Sequence, residues 1–275
     1  MPSARTMLQL LICTYNAGIR DVPSILLPPA EGIGYVVSMQ YSDACFLKEI
    51  PEVLKQREDV ILSTINGLGL SVNRNNAIAC ATAEVCVIAD DDVRYTLQDL
   101  LRIVSAHEAA PEADVLLFQA KGPEGFLKSY PSHAFDYAHQ PKGYYPSSIE
   151  ITFKRERIKN VPFDLRFGLG SGNLINGEEE VWLNRLHRKE GRIIRYVPVP
   201  VVQTIDIPQG GTNFATSPEV QRAKGAKLYY IYGAMGFLRC VKESFVTSRR
   251  EKAACFWQLL KNTFAGALYI MRTGR

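Results

Sequence analysis

The chain predicts an α/β fold, a mostly parallel sheet flanked by helices, followed by a C-terminal helical extension. Three observations carry this. Apolar runs of strand length recur early without alternation, as strands covered on both faces require. A helical pattern stands before the fourth of them, a βαβ rhythm. That fourth run, Val85-Cys86-Val87-Ile88-Ala89, stops in Asp90-Asp91-Asp92, which places carboxylates at a strand's carboxyl end, where open α/β sheets bind ligands.

Met7 to Cys13 is nearly all apolar and ends in Thr14-Tyr15-Asn16-Ala17-Gly18, a first parallel strand. Gly34 to Gln40 reads as the second and Asp59 to Ser63 as the third, with a short segment broken by Pro51 between them. Gly67-Leu68-Gly69-Leu70-Ser71 then opens a helix, with Ser71 as its N-cap and apolar positions at 72, 77, 78 and 81. After the acids, Thr96 caps a helix whose Leu97, Leu100, Leu101 and Val104 share a face, and Ala113 to Phe118 is the next strand.

From Gly122 to Pro146 the texture turns to Pro, Gly and aromatics, among them Phe126, Tyr130, Phe135, Tyr144 and Tyr145. Such an excursion serves either as a lid packed on the core or as a surface that stacks on sugar rings. Ile149 to Phe153 alternates as a half-buried strand does. Phe163 to Phe167 precedes Gly168-Leu169-Gly170-Ser171-Gly172, read as a mobile loop over a site. Asn176-Gly177-Glu178-Glu179-Glu180 opens a helix with Trp182, Leu183 and Leu186 on one face; acids there complement the helix dipole or present a base to a cleft.

Ile193 to Val202 contains Pro198 and Pro200 and reads as a late edge strand. Ser217-Pro218-Glu219 starts a helix. The boundary is placed at 215, with residues 1–215 as the main domain and 216–275 as the helical extension. In the extension Phe256, Leu260, Phe264 and Leu268 repeat every four residues, with Trp257 and Lys261 beside them. Two readings stand open: a helical cap on the main domain, and a basic aromatic tail in peripheral contact with an anionic membrane surface.

With 275 residues, 47% hydrophobic and 22% charged, the chain can bury a full core, and a formal charge of +4 is too small to argue for nucleic acid. Six cysteines without a CxxC pair read as thiols of a reduced, cytoplasmic protein. Met7 to Cys13 is too short for a signal peptide, and no stretch is long enough to span a bilayer. The four histidines have no ligand spacing.

Consecutive acids at a buried strand end repel one another and call for a positive partner, a divalent metal first among candidates. An isolated triad of this kind would mark a solvated turn. In an extended segment Asp90 and Asp92 would point one way and Asp91 the other, an Asp-x-Asp spacing suited to a hard cation on a diphosphate.

Taken in order, Thr14-Tyr15-Asn16, then Gly69-Leu70-Ser71-Val72-Asn73-Arg74-Asn75, then Ala89-Asp90-Asp91-Asp92, then Gly177-Glu178-Glu179 resemble the family-two nucleotide-diphospho-sugar glycosyltransferases of GT-A fold, a Rossmann-like sheet. The resemblance covers residues 7–205. It implies that Thr14, Tyr15 and Asn16 line a nucleotide pocket, with Arg74 near the nucleotide. It also implies that Asp90 and Asp91 belong to the nucleotide-sugar site and that Asp92 ligates Mn²⁺ or Mg²⁺. Glu179 would be the general base of an inverting transfer to a hydroxyl of a glycan or lipid-linked acceptor, with Glu178 and Glu180 as substitutes.

Two departures stand out. The second strand ends in Gln40 rather than in acids that read the base, so Gln40 becomes the base-side candidate. No His follows the late strand, leaving the metal on fewer protein ligands or on Asp206. One rival is a non-catalytic nucleotide-sugar-binding scaffold on the same fold. A nucleotidyltransferase is a weaker one, since Thr14 to Arg20 offers only Gly18 and Arg20 for a phosphate loop.

Overall fold

The computed structural model describes residues 6–205, 214–252 and 254–275. Among these the chain forms two compact units: one from the described residues within Met1–Leu68, Val72–Pro162 and Arg185–Ile207, the other from those within Gly69–Ser71, Phe163–Asn184 and Pro208–Arg275. The three C-terminal helices thus share a unit with a stretch from the middle of the chain.

The elements in order are β1 (Leu8–Tyr15), β2 (Ile33–Tyr41), α1 (Glu52–Gln56), β3 (Val60–Asn66), α2 (Leu70–Cys80), β4 (Val85–Asp90), β5 (Val93–Arg94), α3 (Leu97–Ala109), β6 (Val115–Gly122), β7 (Gly125–Phe126), β8 (Phe135–Asp136), β9 (Ile151–Lys154), α4 (Arg155–Ile158), α5 (Glu178–Arg188), β10 (Ile194–Thr204), α6 (Pro218–Tyr232), α7 (Met235–Arg250) and α8 (Phe256–Thr273). The strands form one sheet in the order β3-β2-β1-β4-β9-β6-β10-β5, with β7 on β6 and β8 on β10. β1 to β4 pair in parallel, β9 runs antiparallel to both β4 and β6, and β10 is parallel to β6.

β1, β2 and β4 are buried along nearly their whole length, as their uninterrupted apolar runs predict. Leu8, Leu10, Ile12, Tyr35, Val37, Met39, Val85, Val87 and Ala89 join one core with Leu54, Leu100, Ile103 and Val104. Chain order matters here. From β1 the chain moves outward through β2 and β3, then returns to place β4 on β1's other side. That reversal makes the carboxyl ends of β1 and β4 the topological switch point, the place where open α/β sheets bind ligands.

Several local expectations change. Ser71 lies inside α2, its hydroxyl donating to the Phe167 carbonyl (2.7 Å) rather than capping. Val72 is exposed, because α2 turns an asparagine face to the strands. Thr96 does cap α3, with Asp99 completing a capping box, but the buried face is Leu100, Ile103, Val104 and His107 while Leu97 and Leu101 are exposed. β10 is not the last strand, since β5 pairs at Gln203 and Thr204; its prolines fall where the register with β6 shifts. In α8 the Phe256, Leu260, Phe264 and Leu268 stripe is only half-buried, and the buried face is Leu259, Thr263, Gly266, Ala267 and Ile270.

All six cysteines are free thiols, and burial pushes Cys13 and Cys86 up to about 12, so they sit in the sheet as neutral apolar side chains.

β9 departs furthest from expectation. It is central, its residues 151–153 are buried, and its polar Thr152 is buried with partners. The Thr152 hydroxyl donates to the Leu116 carbonyl (3.2 Å) and accepts from His107 Nε2 at 2.8 Å. Burial, aided by Lys154, lowers the His107 pKa from 6.5 to about 3. The unfolded chain therefore binds a proton that the native state refuses between these values, and stability rises with pH across that window. We expect stability to fall on acidification from about pH 6.5 toward pH 4, this one group contributing at most about 5 kcal/mol in full. His107→Leu should flatten the urea-denaturation profile over that range; a variant as acid-sensitive as the parent would clear His107 of the effect.

Candidate active site

The switch point assembles from three strand ends and one helix. Ser38 in β2 pairs in register with Cys13 of β1 and Ser63 of β3. Two asparagines of α2 read that row. Asn73 Nδ2 donates to the Thr14 carbonyl (2.9 Å) and its Oδ1 accepts from Ser38 Oγ (2.5 Å), while Asn76 Nδ2 donates to Ser38 Oγ (2.8 Å) and Ser63 Oγ (2.9 Å). Buried polar groups are tolerable only when satisfied, and these hold each other.

The three acids part company as the strand ends. Asp90 accepts from Arg74 (3.3 Å) through Oδ1 and from the Ser148 hydroxyl (3.2 Å) through Oδ2. Arg74 is 2% exposed whereas the Asp90 side chain is 35% exposed, so an enclosed cation underlies a carboxylate that reaches solvent. Arg74 is thus placed to orient and charge-balance Asp90 rather than to stand in the open.

Asp91 turns the other way. Its Oδ2 accepts from the Thr14 hydroxyl at 2.5 Å, and burial raises its carboxyl pKa against the lowering pull of that bond. The packing is close: a Cβ on Gly18 would lie 2.4 Å from Asp91 Oδ2 and 2.6 Å from Thr14 Oγ1. A larger residue there would have to displace the hydrogen-bonded Asp91 and Thr14 side chains. Asp91 therefore ties the end of β4 to the end of β1. Asp92, half-buried in the following turn, has its backbone carbonyl bonded by Ile205 N (3.1 Å), while β5 pairs antiparallel with the end of β10.

Beside the acids, Asn16 has a left-handed backbone (φ 48°), the single non-glycine with positive φ among the described residues. Its Oδ1 accepts from Ser42 N (2.9 Å) and its Nδ2 donates to Ser42 Oγ (3.0 Å), bracing the β1 loop to the β2 loop. Tyr15 is exposed and pairs in register with Gln40. Gln40 is buried, and its Nε2 has no hydrogen-bond partner among the described residues. An unmatched buried amide donor costs about 1–3 kcal/mol, so a ligand acceptor would be well received.

The aromatic excursion is pinned by a carboxylate that sequence reading passed over. Glu150 is 0% exposed, with Lys128 Nζ at 2.8 Å and the Tyr130 hydroxyl donating to it (2.7 Å). Burial raises its pKa against both partners. Lys128 also donates to the Tyr145 carbonyl (2.6 Å), and Phe135 stacks on Tyr196 (4.7 Å). Two residues before Glu150, Ser148 supplies the Asp90 bond, so the excursion's end braces the acid cluster. The visible signal was Ser147-x-x-Glu150, a capping-box pattern, which the structure contains.

In the second unit Gly177 (φ 93°) precedes α5, whose first turn is Glu178, Glu179 and Glu180. The three differ. Glu178 is buried beside Gly168, Glu180 is ion-paired with Lys227, and Glu179 is half-buried. The Gly168 to Gly172 loop closes on itself through Gly168 N to the Leu174 carbonyl (2.8 Å) and Ser171 N to the Gly168 carbonyl (3.1 Å).

Among the described residues no group of three or more His, Cys, Asp or Glu could by itself cage a metal. Asp206 lies outside the described residues. The donor set is still one that suits a hard divalent cation: carboxylate oxygens at one strand end, for an ion that takes one or two carboxylates and its remaining ligands from substrate phosphates and water.

A family model described as glycosyl transferase family 2 matches residues 46–176. Among solved structures, S. aureus TarS 1–349 superposes with a TM-score of 0.59 at 14% identity, covering 98% of this chain and 92% of that one. The same protein in complex with UDP-GlcNAc gives 0.57 at 16%, covering 81% and 66%. Its complex with UDP gives 0.58 at 14%, covering 98% and 92%. At such identity the likeness shows a shared GT-A fold. No curated protein matches the chain in sequence.

Proposed function

We propose that the chain is a nucleotide-sugar glycosyltransferase of family 2, the family whose model matches residues 46–176, and that it is metal-dependent and inverting, with a hydroxyl of a glycan or lipid-linked molecule as acceptor. The observation that carries the donor side is the cluster at the switch point, where Asp90 is held by Arg74 and Ser148 beside the half-buried Asp92. TarS is described with UDP and UDP-GlcNAc bound, and a uridine diphosphate sugar is the donor proposed here. The unmatched Gln40 amide would donate to a base carbonyl, with Tyr15 and Asn16 beside it.

Asp92 would hold Mn²⁺ or Mg²⁺, which supplies charge neutralisation for the departing diphosphate. Asp90, oriented by its two partners Arg74 and Ser148, would meet the donor's ribose and sugar side. Glu179 would take the proton of the acceptor hydroxyl as that oxygen bonds to the anomeric carbon. The bond from that carbon to the diphosphate oxygen breaks on the opposite face, its electron pair leaving with the nucleoside diphosphate, and configuration inverts.

Calorimetric titration of UDP and GDP, each with and without Mn²⁺, tests the reading. The expected result is UDP binding that requires metal and weakens at least about tenfold, or about 1.4 kcal/mol, in Asp92→Ala. UDP binding of equal strength without metal and in Asp92→Ala would remove both the metal and Asp92 from the donor site.

A further inference from the structure

α7 has its amphipathicity inverted for a helix of a globular unit. Its buried side carries small residues, Gly236, Cys240, Ser244 and Thr247, and the Ser244 hydroxyl has no hydrogen-bond partner among the described residues. Its exposed side carries Met235 (60%), Leu238 (62%), Val241, Phe245 (51%) and Val246 (48%). At about 100° per residue these five share an arc of about 140°.

Basic residues run through the same surface. Lys242 and Arg249 fall within the arc, Arg239 lies about 20° and Arg250 about 40° beyond its edge, and all four are exposed. The Arg249 guanidinium lies 5.0 Å from the centroid of the Phe245 ring, and that of Arg239 lies 3.7 Å from the Tyr232 ring. Glu243, the one acid of α7, is half-buried off the arc. Residues 235–261 hold six basic and two acidic side chains, a net +4 that equals the formal charge of the whole chain.

The chemistry distinguishes the occupants. The core of a protein interface is depleted in charge, and Lys in particular is disfavoured there. Lys242 sits inside the apolar stripe, where docking on protein would desolvate it. Against a bilayer its stem can lie along the apolar side chains while the ammonium reaches the headgroups. Apolar insertion combined with several cations is the pairing that holds a helix in the interfacial plane of an anionic membrane. No helix among the described residues is long and apolar enough to cross a membrane, so the contact is a surface one. We propose that the exposed face of α7 docks this protein on an anionic lipid bilayer, through Leu238 and Phe245 as inserting residues and Lys242 and Arg249 as headgroup contacts. The proposal stands independently of the catalytic reading.

The test is co-sedimentation of the full chain with vesicles of phosphatidylcholine alone and of phosphatidylcholine mixed with phosphatidylglycerol, at low and high salt. Expected is binding to the mixed vesicles only, weakened by salt. It should fall at least about tenfold both in Leu238→Ser/Phe245→Ser and in Lys242→Glu/Arg249→Glu, since insertion and attraction are each needed. All four side chains are exposed, so the melting temperatures of the variants should match the parent's. Failure to sediment with mixed vesicles, or binding that both double variants retain, overturns the proposal. A dimer by light scattering that Leu238→Ser/Phe245→Ser dissociates, with no vesicle binding, would assign the face to a second copy of the chain instead.

Discussion

Glu179→Gln is expected to bind the donor nucleotide as the parent does and to transfer sugar about 10²- to 10⁴-fold more slowly, the range a positioned general base contributes. The substitution keeps the side chain's size and its place in the first turn of α5 while removing the lone pair that would accept the hydroxyl proton. Donor affinity depends on other residues, so the loss should fall on kcat and leave the nucleotide Kd unchanged. The neighbours supply the controls. Glu180 is engaged with Lys227, and Glu180→Gln should cost little in rate, since its carboxylate is already committed to that ion pair. Glu178 is 4% exposed, and its substitution should act first on the stability of its unit. A Glu179→Gln enzyme within tenfold of the parent, with Glu178→Gln or Glu180→Gln severely slowed, would move the base to that neighbour.

The sheet was legible because burial on both faces leaves an unmistakable mark: Leu8 to Tyr15, Ile33 to Tyr41 and Val85 to Asp90 are apolar almost throughout. The acid triad announced itself for the opposite reason, as charge where charge is costly. The rest failed where a polar residue was buried with a partner distant in sequence. Ile149-Glu150-Ile151-Thr152-Phe153 alternates, and alternation implies one wet face. Yet Glu150 is closed off by Lys128 and Tyr130, and Thr152 by His107 and the Leu116 carbonyl, so the strand is central and dry. Ser71 looked like a cap because its bond to the Phe167 carbonyl spans 96 residues. Asn73 and Asn76 carried no local hint that they bond three strands at once. The C-terminal aromatic stripe misled in another way, since the periodicity of α8 is real while its buried face is set by the small residues Gly266 and Ala267.

Those small residues define the second large effect. A Cβ on Gly225 in α6 would stand 1.8 Å from the Thr263 carbonyl oxygen of α8, and one on Gly266 would stand 1.8 Å from the Arg222 carbonyl oxygen of α6. The two helices therefore meet backbone to backbone, glycine against carbonyl from both sides. The obstacles are main-chain atoms that cannot swing away as a side-chain tip can. At an exposed helical site Gly→Ala should stabilise by about 1 kcal/mol. Here the sign should reverse, because one added methyl forces the helices apart and opens the packing of Ala223, Ala226, Tyr230 and Ile270, which share a core with Phe167, Leu174 and Val181. Overpacking of this kind costs about 1–3 kcal/mol and occasionally more; with main chain on both sides we expect Gly225→Ala to reach at least about 3 kcal/mol. Hydrogen exchange is the discriminating measurement. Amides of α6 and α8 should lose protection together in Gly225→Ala, while those of β1, β2 and β4 keep theirs, and Gly266→Ala should reproduce the pattern. Unchanged or increased protection in α6 and α8 would mean the helices can separate at no cost, and the close glycine contact would not hold the unit together.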